Sequence, residues 1–404
     1  MGNPLLKNYN VEKEHFLTGG FNNLWKIYKG SRKDRKQDVC VFVFEKKALD
    51  KYSREEKEEI LNILKKEVSA LVKLKHPGVL SIFEQLSEDK SSLMFVTEPV
   101  QFTLTSWLES QGASKLEMKL LVTELCNVVA FLHDNAHVIH CGLNPDEIFI
   151  NSQGHIKLSG LEFSLSDPAI GGQEIKVNSS YPNTNPLLKY TASEIVTESK
   201  AFYQSDIFSI GLIIYYLLKF HKGDTDRDLF NLSSNTPEAY KKSLDIFENK
   251  LMKMTFESDD NDLIFKALNK KPNLRPTIKD FLEHSWFNDP KLKALRFVEN
   301  LEQNDASKNT EFLTKFPSII HLFETKIIER RFLPAFMNAL KSEGLIVNTL
   351  PAVFAICEEK NNKIDFESSV WPGLKTLFAM KQIPAAALYF VLSKLNFIAE
   401  TPLQ

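Results

Sequence analysis

The residues with the most chemical potential lie near the middle of the chain. Glu147 and Glu162 flank two strand-like pieces, and carboxylate oxygens are the donors that hard divalent ions want, although solvated or structurally paired carboxylates are the plainer reading. His140, in His140-Cys-Gly-Leu-Asn-Pro-Asp-Glu-Ile, invites an acid–base role. Upstream, Thr18-Gly-Gly-Phe-Asn-Asn-Leu-Trp sets glycines just before a strand-like run, where backbone can come close to an anion. Lys26 and Lys46 are the ammonium groups nearest to that loop in sequence. Cys40, Cys126, Cys141 and Cys357 have neither metal-ligand spacing nor the density of a disulfide scaffold, which fits a reducing cytosol.

These groups must be held by elements of two kinds. The first hundred residues alternate in the strand manner around Trp25, Val39 and Leu93. A charged helix over 55–74 is inserted among them, with Ile60, Leu64, Val68, Leu71 and Leu74 on one face and His76-Pro77 ending it. Its charged start reads as a solvated face with near-neighbour pairing. From about Leu104 the periodicity becomes helical, with an amphipathic helix over 121–133, short strands near Ile148 and Ile156, and a loop over 167–189 rich in Pro, Asn and Ser. Helices resume at Ser193. A strand-rich part followed by a helical part is an α+β, two-lobed pattern.

Beyond Phe287 come Leu/Phe/Ile-rich helical stretches punctuated by Pro317, Pro334, Pro351 and Pro372, read as helix-start signals. Pro334 and Pro372 are separated by close to the ~40-residue period of HEAT-type hairpins. An ordinary helical extension is the alternative. The phenylalanines over 312–336 read as core rather than a ligand box, and the edges of such a solenoid as a partner surface.

Composition bounds the rest. The 404 residues are 43% hydrophobic, enough for a sizeable core, and 50 basic against 52 acidic side chains leave no electrostatic footprint for nucleic acid. The longest apolar run, 207–218, is too short for a membrane span and reads as a buried helix. The N-terminal segment lacks a secretory core, and Leu6 stands where a myristoylation motif after Gly2 wants Ser or Thr.

Over 11–287 the order of these signals resembles the protein-kinase fold. The marks are Glu67 before His76-Pro77, the run from His140, Ile156-Lys-Leu-Ser-Gly-Leu-Glu, Thr191-Ala-Ser-Glu194, Ser205-Asp-Ile-Phe-Ser-Ile-Gly211 and Leu274-Arg-Pro-Thr. The resemblance implies a small lobe over 11–100 after an N-terminal segment 1–10 and a large lobe over 101–288, which leaves 289–404 to the HEAT-like helices that the prolines suggest. It also implies a buried Glu194–Arg275 pair, an Asp206 that orients the catalytic-loop backbone, and a His140 that packs beneath the turn. Cys141 replaces the arginine that reads a phosphorylated activation segment, and that regulation is expected to be lost.

The chemical positions of that family are changed. Phosphoryl transfer needs a lysine on the phosphates, carboxylates on magnesium and an aspartate as base. Phe42 stands at the lysine position, which leaves Glu67 without its partner. Gly142 replaces the base, Asn144 the next lysine, Glu147 the metal-binding asparagine and Gly160 the metal-binding aspartate. In the phosphate loop only Gly20 remains, with Asn22 and Trp25 at the other glycine positions. Trp25 and Phe42 are expected to occupy the phosphate region, and Lys26 is the only stand-in lysine near enough to consider. Thr97-Glu98-Pro-Val100 resembles a hinge, so weak adenine binding without catalysis stays open, and no cofactor or metal beyond Glu147 and Glu162 is expected.

Among kinase-like families the chain resembles the Scyl pseudokinases, particularly the coated-vesicle-associated branch, through Gly19-Gly-Phe-Asn-Asn-Leu-Trp-Lys-Ile, Val41-Phe-Val-Phe-Glu-Lys-Lys, Thr97-Glu-Pro-Val and Gly160-Leu-Glu. The resemblance implies a non-catalytic cytoplasmic scaffold in vesicle traffic, peripheral on Golgi, endosomal or coated-vesicle membranes, with coat or adaptor proteins as partners. A very slow ATP-dependent serine/threonine kinase is the alternative. Relatives carry more repeats and a tail with coat-binding motifs than stand before Gln404, which leaves clathrin binding by this stretch open.

Overall fold

A computed structural model describes residues 4–166, 172–359, 366–380 and 382–394. Gly2 and the start of the 167–189 loop lie outside them. The chain divides into two compact units, Met1–Phe287 and Asn288–Gln404.

The first unit opens with strands β1 (Tyr9–Val11), β2 (Leu17–Gly19), β3 (Trp25–Arg32) and β4 (Asp38–Glu45), followed after helix α1 (Arg54–Lys73) by β5 (Ile82–Glu88) and β6 (Ser92–Thr97). They form one antiparallel sheet in the order β1-β3-β4-β6-β5, with β2 on β3. Strand β4 is apolar on both faces because both are buried. Cys40, Phe42 and Phe44 join the main core, while Val39, Val41 and Val43 pack with Tyr9 and Val96. The charged start of α1 is consistent with its placement. Ser53 caps it by accepting from the Glu56 N–H at 3.2 Å, Glu55 and Glu56 face the positive end of the dipole, and Ile60, Leu64, Val68 and Leu71 are buried with Glu67.

After the short strand β7 (Phe102–Thr103), the larger lobe is built from α2 (Leu104–Gln111), α3 (Lys115–Asp134), β8 (Val138–Ile139), β9 (Ile148–Ile150), β10 (Ile156–Leu158), α4 (Ser193–Glu198), α5 (Tyr203–His221), α6 (Pro237–Met252), α7 (Ser258–Ala267) and α8 (Ile278–Leu282). A reciprocal Ser114–Glu117 capping box starts α3. Helix α5 is buried all round from Ser205 to Leu218, so it is the lobe's central core element. Gly211 allows α7 to approach it: a Cβ there would lie 2.7 Å from the Ala267 Cβ. Among the described residues no helix is long and apolar enough to cross a membrane.

The second unit is helical, including Ala306–Ile319, Glu343–Glu358, Trp371–Phe378 and Ala385–Ser393. Phe316, Phe332 and Phe336 are fully buried and pack ring on ring, with Phe316 centred 4.9 Å from each of the other two. Pro372 sits in a first helical turn, where the missing N–H costs nothing, whereas Pro334 lies within the continuous helical run Thr325–Ala339, directly after the π-turn Ile328–Phe332. Pro317 and Pro351 correct the start-signal reading: both lie inside helices.

Candidate functional site

The structural residues form two satisfied networks. Asp206, fully buried, accepts from the N–H of His140 (2.8 Å) and of Cys141 (3.0 Å), and its Oδ2 lies 2.9 Å from His133 Nε2. This holds Cys141 in the left-handed region, at φ 60°. His140 is wedged beneath the turn, its Nδ1 accepting from the Gly142 N–H at 3.2 Å and its Nε2 2.8 Å from the Ser159 carbonyl. Only the neutral ring with the proton on Nε2 satisfies both contacts, and burial pushes its pKa below the ordinary 6.5. Glu194 and Arg275 make a bidentate pair at 2.6 and 2.8 Å, and the guanidinium also donates to the carbonyls of Asn269, Gln204 and Lys270. Ser205 Oγ donates to Glu194 at 2.6 Å, so this buried pair leaves no charge without a partner.

In the cleft, Glu67 is fully buried but has partners, which corrects the expectation that losing the lysine leaves it alone. Trp25 Nε1 donates to Glu67 Oε2 at 2.9 Å, and Ser159 Oγ donates to Oε1 at 2.7 Å. Burial raises the Glu67 pKa, opposed by the hydrogen bonds from Ser159, Trp25 and the Gly160 backbone. Trp25 is itself fully buried, its ring edge-on to Phe42, Phe44 and Phe95 at 6.5, 6.2 and 4.8 Å. Phe42 stacks on Phe95 at 4.7 Å and meets Phe149 at 5.6 Å. A tryptophan at a glycine position gave the signal for this plug. Ser159 and Phe149 carried none beyond their neighbourhood to the motifs.

The glycine loop lies directly on these rings. A Cβ on Gly20 would stand 2.6 Å from Trp25 Cδ1, and one on Gly19 2.8 Å from the Phe149 ring. Asn22 and Asn23 take left-handed φ values of 51° and 55°, and Asn22 Nδ2 donates to the Asn183 carbonyl at 2.8 Å, which latches the loop to the segment following β10. Phe21 packs edge-on to Phe163 at 5.7 Å.

The hinge groups make local contacts. Thr97 and Val100 are buried, the Glu98 carbonyl accepts from Thr97 Oγ1 at 2.8 Å, and the Val100 N–H lies 3.4 Å from Cys40 Sγ. Both Glu98 carboxylate oxygens are engaged, by the Ser81 N–H at 2.9 Å and Lys157 Nζ at 2.7 Å. A groove of about 510 Å³ along the hinge edge is lined by Lys29, Gly30, Val39, Cys40, Pro99 and Val100. Lys26 and Lys46 do not face the cleft chemistry either. Lys26 pairs with exposed Glu45 at 3.2 Å, and Lys46 with Glu88 at 2.7 Å.

A cavity of about 480 Å³ remains between the Phe21–Asn23 turn and the loop after β8. Gly142, Asn144, Glu147 and Glu162 line it, together with Lys51 and Lys189. Asn144 is used locally, donating to the Gly142 carbonyl at 3.0 Å and accepting from the Asp146 N–H at 3.0 Å. Glu147 and Glu162 are buried, and the pKa of each is raised well above the carboxylate range. Burial is the main cause for both, followed by the Glu162 charge for Glu147 and by the Glu67 charge for Glu162. Where the family places a nucleotide's phosphates, aromatic rings fill the space against the sheet, and Glu147 and Glu162 line what is left beside Lys51 and Lys189.

Two lobes joined by a hinge, with a buried α1 glutamate, an Asp206-held turn and the Glu194–Arg275 pair, define a protein kinase fold. The chain belongs to the protein kinase domain family, whose model matches residues 20–287. Within that family its similarity to SCY1-like proteins runs the length of the chain. It is 27% identical to human SCY1-like protein 2, covering 100% of this chain and 45% of that protein. It is 27% identical to Protein kinase-like protein SCY1 of Saccharomyces cerevisiae (87% and 49%) and 26% identical to Protein kinase domain-containing protein ppk32 of Schizosaccharomyces pombe (91% and 51%). The chain spans about half the length of these curated relatives.

Proposed function

We propose that this chain is a pseudokinase scaffold that uses the kinase fold for protein contacts and does not transfer phosphate. One observation carries the reading: the indole of Trp25 is bound to Glu67, in the middle of a stacked aromatic cluster, where a phosphate-binding lysine would have to be. Removal of a base takes ~10²–10⁴ from a rate and removal of an electrostatic donor ~10²–10³. From a typical kinase turnover of ~1–100 per second, the combined losses leave less than about a thousandth per second. The slow-kinase alternative needs Lys26, which is engaged by Glu45 outside the aromatic cluster.

The Scyl resemblance supports a place in vesicle traffic, with a HEAT-like helical unit and peripheral association with Golgi, endosomal or coated-vesicle membranes through coat or adaptor proteins. Exposed Leu388, Tyr389 and Leu392 on Ala385–Ser393 are apolar surface suited to protein contact. Proximity labelling in cells tests the scaffold role. Coat or adaptor proteins should be enriched over a cytosolic control, whereas labelling without them would overturn the trafficking assignment. Radiolabelled transfer from ATP tests the chemistry, with no incorporation expected. Transfer abolished by Lys26→Ala would favour the slow kinase.

A further inference from the structure

The hairpin of β3 and β4 turns through Arg32-Lys33-Asp34-Arg35-Lys36-Gln37, a stretch outside both the cleft and the buried cores of the small lobe. Its backbone is fixed. The Arg32 N–H donates to the Gln37 carbonyl at 2.9 Å, and the Lys36 N–H to the Arg32 carbonyl at 3.0 Å. The N-terminal segment is tied to the same turn: the Lys33 N–H donates to the Asn8 carbonyl at 3.1 Å and Lys33 Nζ to the Lys7 carbonyl at 2.8 Å, which sets Lys7 beside it. Lys7, Lys33, Arg35 and Lys36 are all exposed.

Five cationic side chains, Lys7, Arg32, Lys33, Arg35 and Lys36, therefore share one tip with two carboxylates, Asp34 and Asp38, in a chain whose net charge is −2. Asp34 is engaged from both sides, by Arg32 Nε at 2.9 Å and Arg35 Nε at 3.8 Å. Lys7, Lys33 and Lys36 meet no carboxylate among the described residues. Lys36 adds a second observation. It holds φ at 50°, in the left-handed region where glycine or asparagine is less strained than lysine. A turn that served only to reverse the chain would be more stable with glycine there, so the ammonium group stands at this position at a cost to the turn.

The shape and composition of the tip select its partner. A single-stranded nucleic acid is held in a groove with aromatic platforms, whereas residues 32–37 include no aromatic side chain and form the convex end of a hairpin. A compact cluster of four to eight basic residues suits a flat anionic surface, and the cytoplasmic leaflet of a membrane is one. We propose that the β3–β4 turn, together with Lys7, is a docking surface for anionic phospholipid bilayers. With no large apolar side chain in the turn, contact is by charge at the headgroups, without insertion. Each basic residue near such a surface raises partitioning about fivefold, and the attraction fades beyond a Debye length of ~8 Å at physiological salt, so the contact is reversible and salt-sensitive. It adds direct lipid contact to the coat or adaptor contacts of the trafficking reading and does not depend on them.

The test sediments the whole chain with vesicles of phosphatidylcholine alone, or with about one-third phosphatidylserine, and with no coat protein present. Binding to the anionic vesicles only is expected, and its loss at roughly 1 M salt, where the Debye length shrinks to ~3 Å. The triple variant Lys33→Gln, Arg35→Gln, Lys36→Gln should bind ~100-fold more weakly. Its melting temperature should not change, because all three side chains are exposed. Lys241→Gln with Lys242→Gln, an exposed pair on α6, should bind like the wild type. Absence of sedimentation with anionic vesicles, or equal binding to both compositions, would overturn the proposal. So would a triple variant that binds like the wild type, or an equal loss in the α6 variant, which would mean diffuse charge. An RNA oligonucleotide bound through the same three residues, with no vesicle binding, would assign the turn to nucleic acid and overturn it as well. Failure here leaves the trafficking assignment standing, and failed proximity labelling leaves this one standing.

Discussion

Trp25 donates the hydrogen bond that meets buried Glu67, and two hydrogen bonds hold His140 in its neutral form, so each side chain can be tested singly. Trp25→Phe keeps an aromatic ring in the cluster but deprives Glu67 Oε2 of its donor and leaves the space of the lost pyrrole ring, so urea unfolding should show a loss of ~1–3 kcal/mol or more. A neutral result would mean the indole N–H does not hold Glu67. His140 is neutral in the fold, with its pKa lowered by burial. A folded value below the unfolded one gives stability that is full above about pH 6.5 and is lost as pH falls through the folded value. Glu67, Glu147 and Glu162 have raised values and act with the opposite sign, contributing below their ordinary 4.5 and losing that contribution as pH rises. The comparison with His140→Gln isolates the imidazole: the stability gap between wild type and variant should narrow from about pH 7.5 to about 5.5. A constant gap would contradict the neutral assignment. At this scale the sequence revealed which side chains were missing from the kinase set but not what replaced them. Glu67 was left partnerless because a tryptophan at a glycine position says nothing about where its N–H points.

Strands and helices were easier to read than partners, because their apolar spacing states which face is buried. Helix α1 and the alternation of β3 are legible for that reason, while β4 and the apolar run of α5 are legible as elements buried on every side. The prolines of the helical unit are the least legible. The residue type allows either a first turn or an interior position, and Pro317, Pro334 and Pro351 take the interior. Two elements carry predictions. Arg275→Leu leaves Glu194 buried and unpaired between α4 and α5 and should cost ~3–5 kcal/mol, whereas adding Glu194→Gln should recover part of it, because the cost lies in the uncompensated charge. Additive losses in the double variant would place the cost elsewhere. In β4, Phe42→Lys returns a lysine to its family position but drives it into rings at 4.7 and 5.6 Å, next to a glutamate already bound by Trp25. It should lower the melting temperature and confer no ATP binding. A gain of ATP affinity would show that one side chain, not the collapsed cleft, decides the matter.

Across the molecule, the division after Phe287 separates two sets of buried side chains, and a fragment ending there should unfold in one cooperative transition by calorimetry. A broad, non-cooperative melt would show that the first unit cannot stand on its own core. The order of motifs makes the kinase architecture legible in the sequence. The state of the cleft was not visible, since a filled and an open cavity can share the same missing residues. The distinction comes from the glycine loop resting on Trp25 and Phe149. The most direct measurement is therefore an ATP titration of the whole chain by calorimetry, run once with EDTA and once with saturating magnesium already present. No saturable heat up to millimolar ATP is expected in either run. Micromolar binding, with ordered phosphates between Trp25 and Phe42 in a crystal of the complex, would contradict the account.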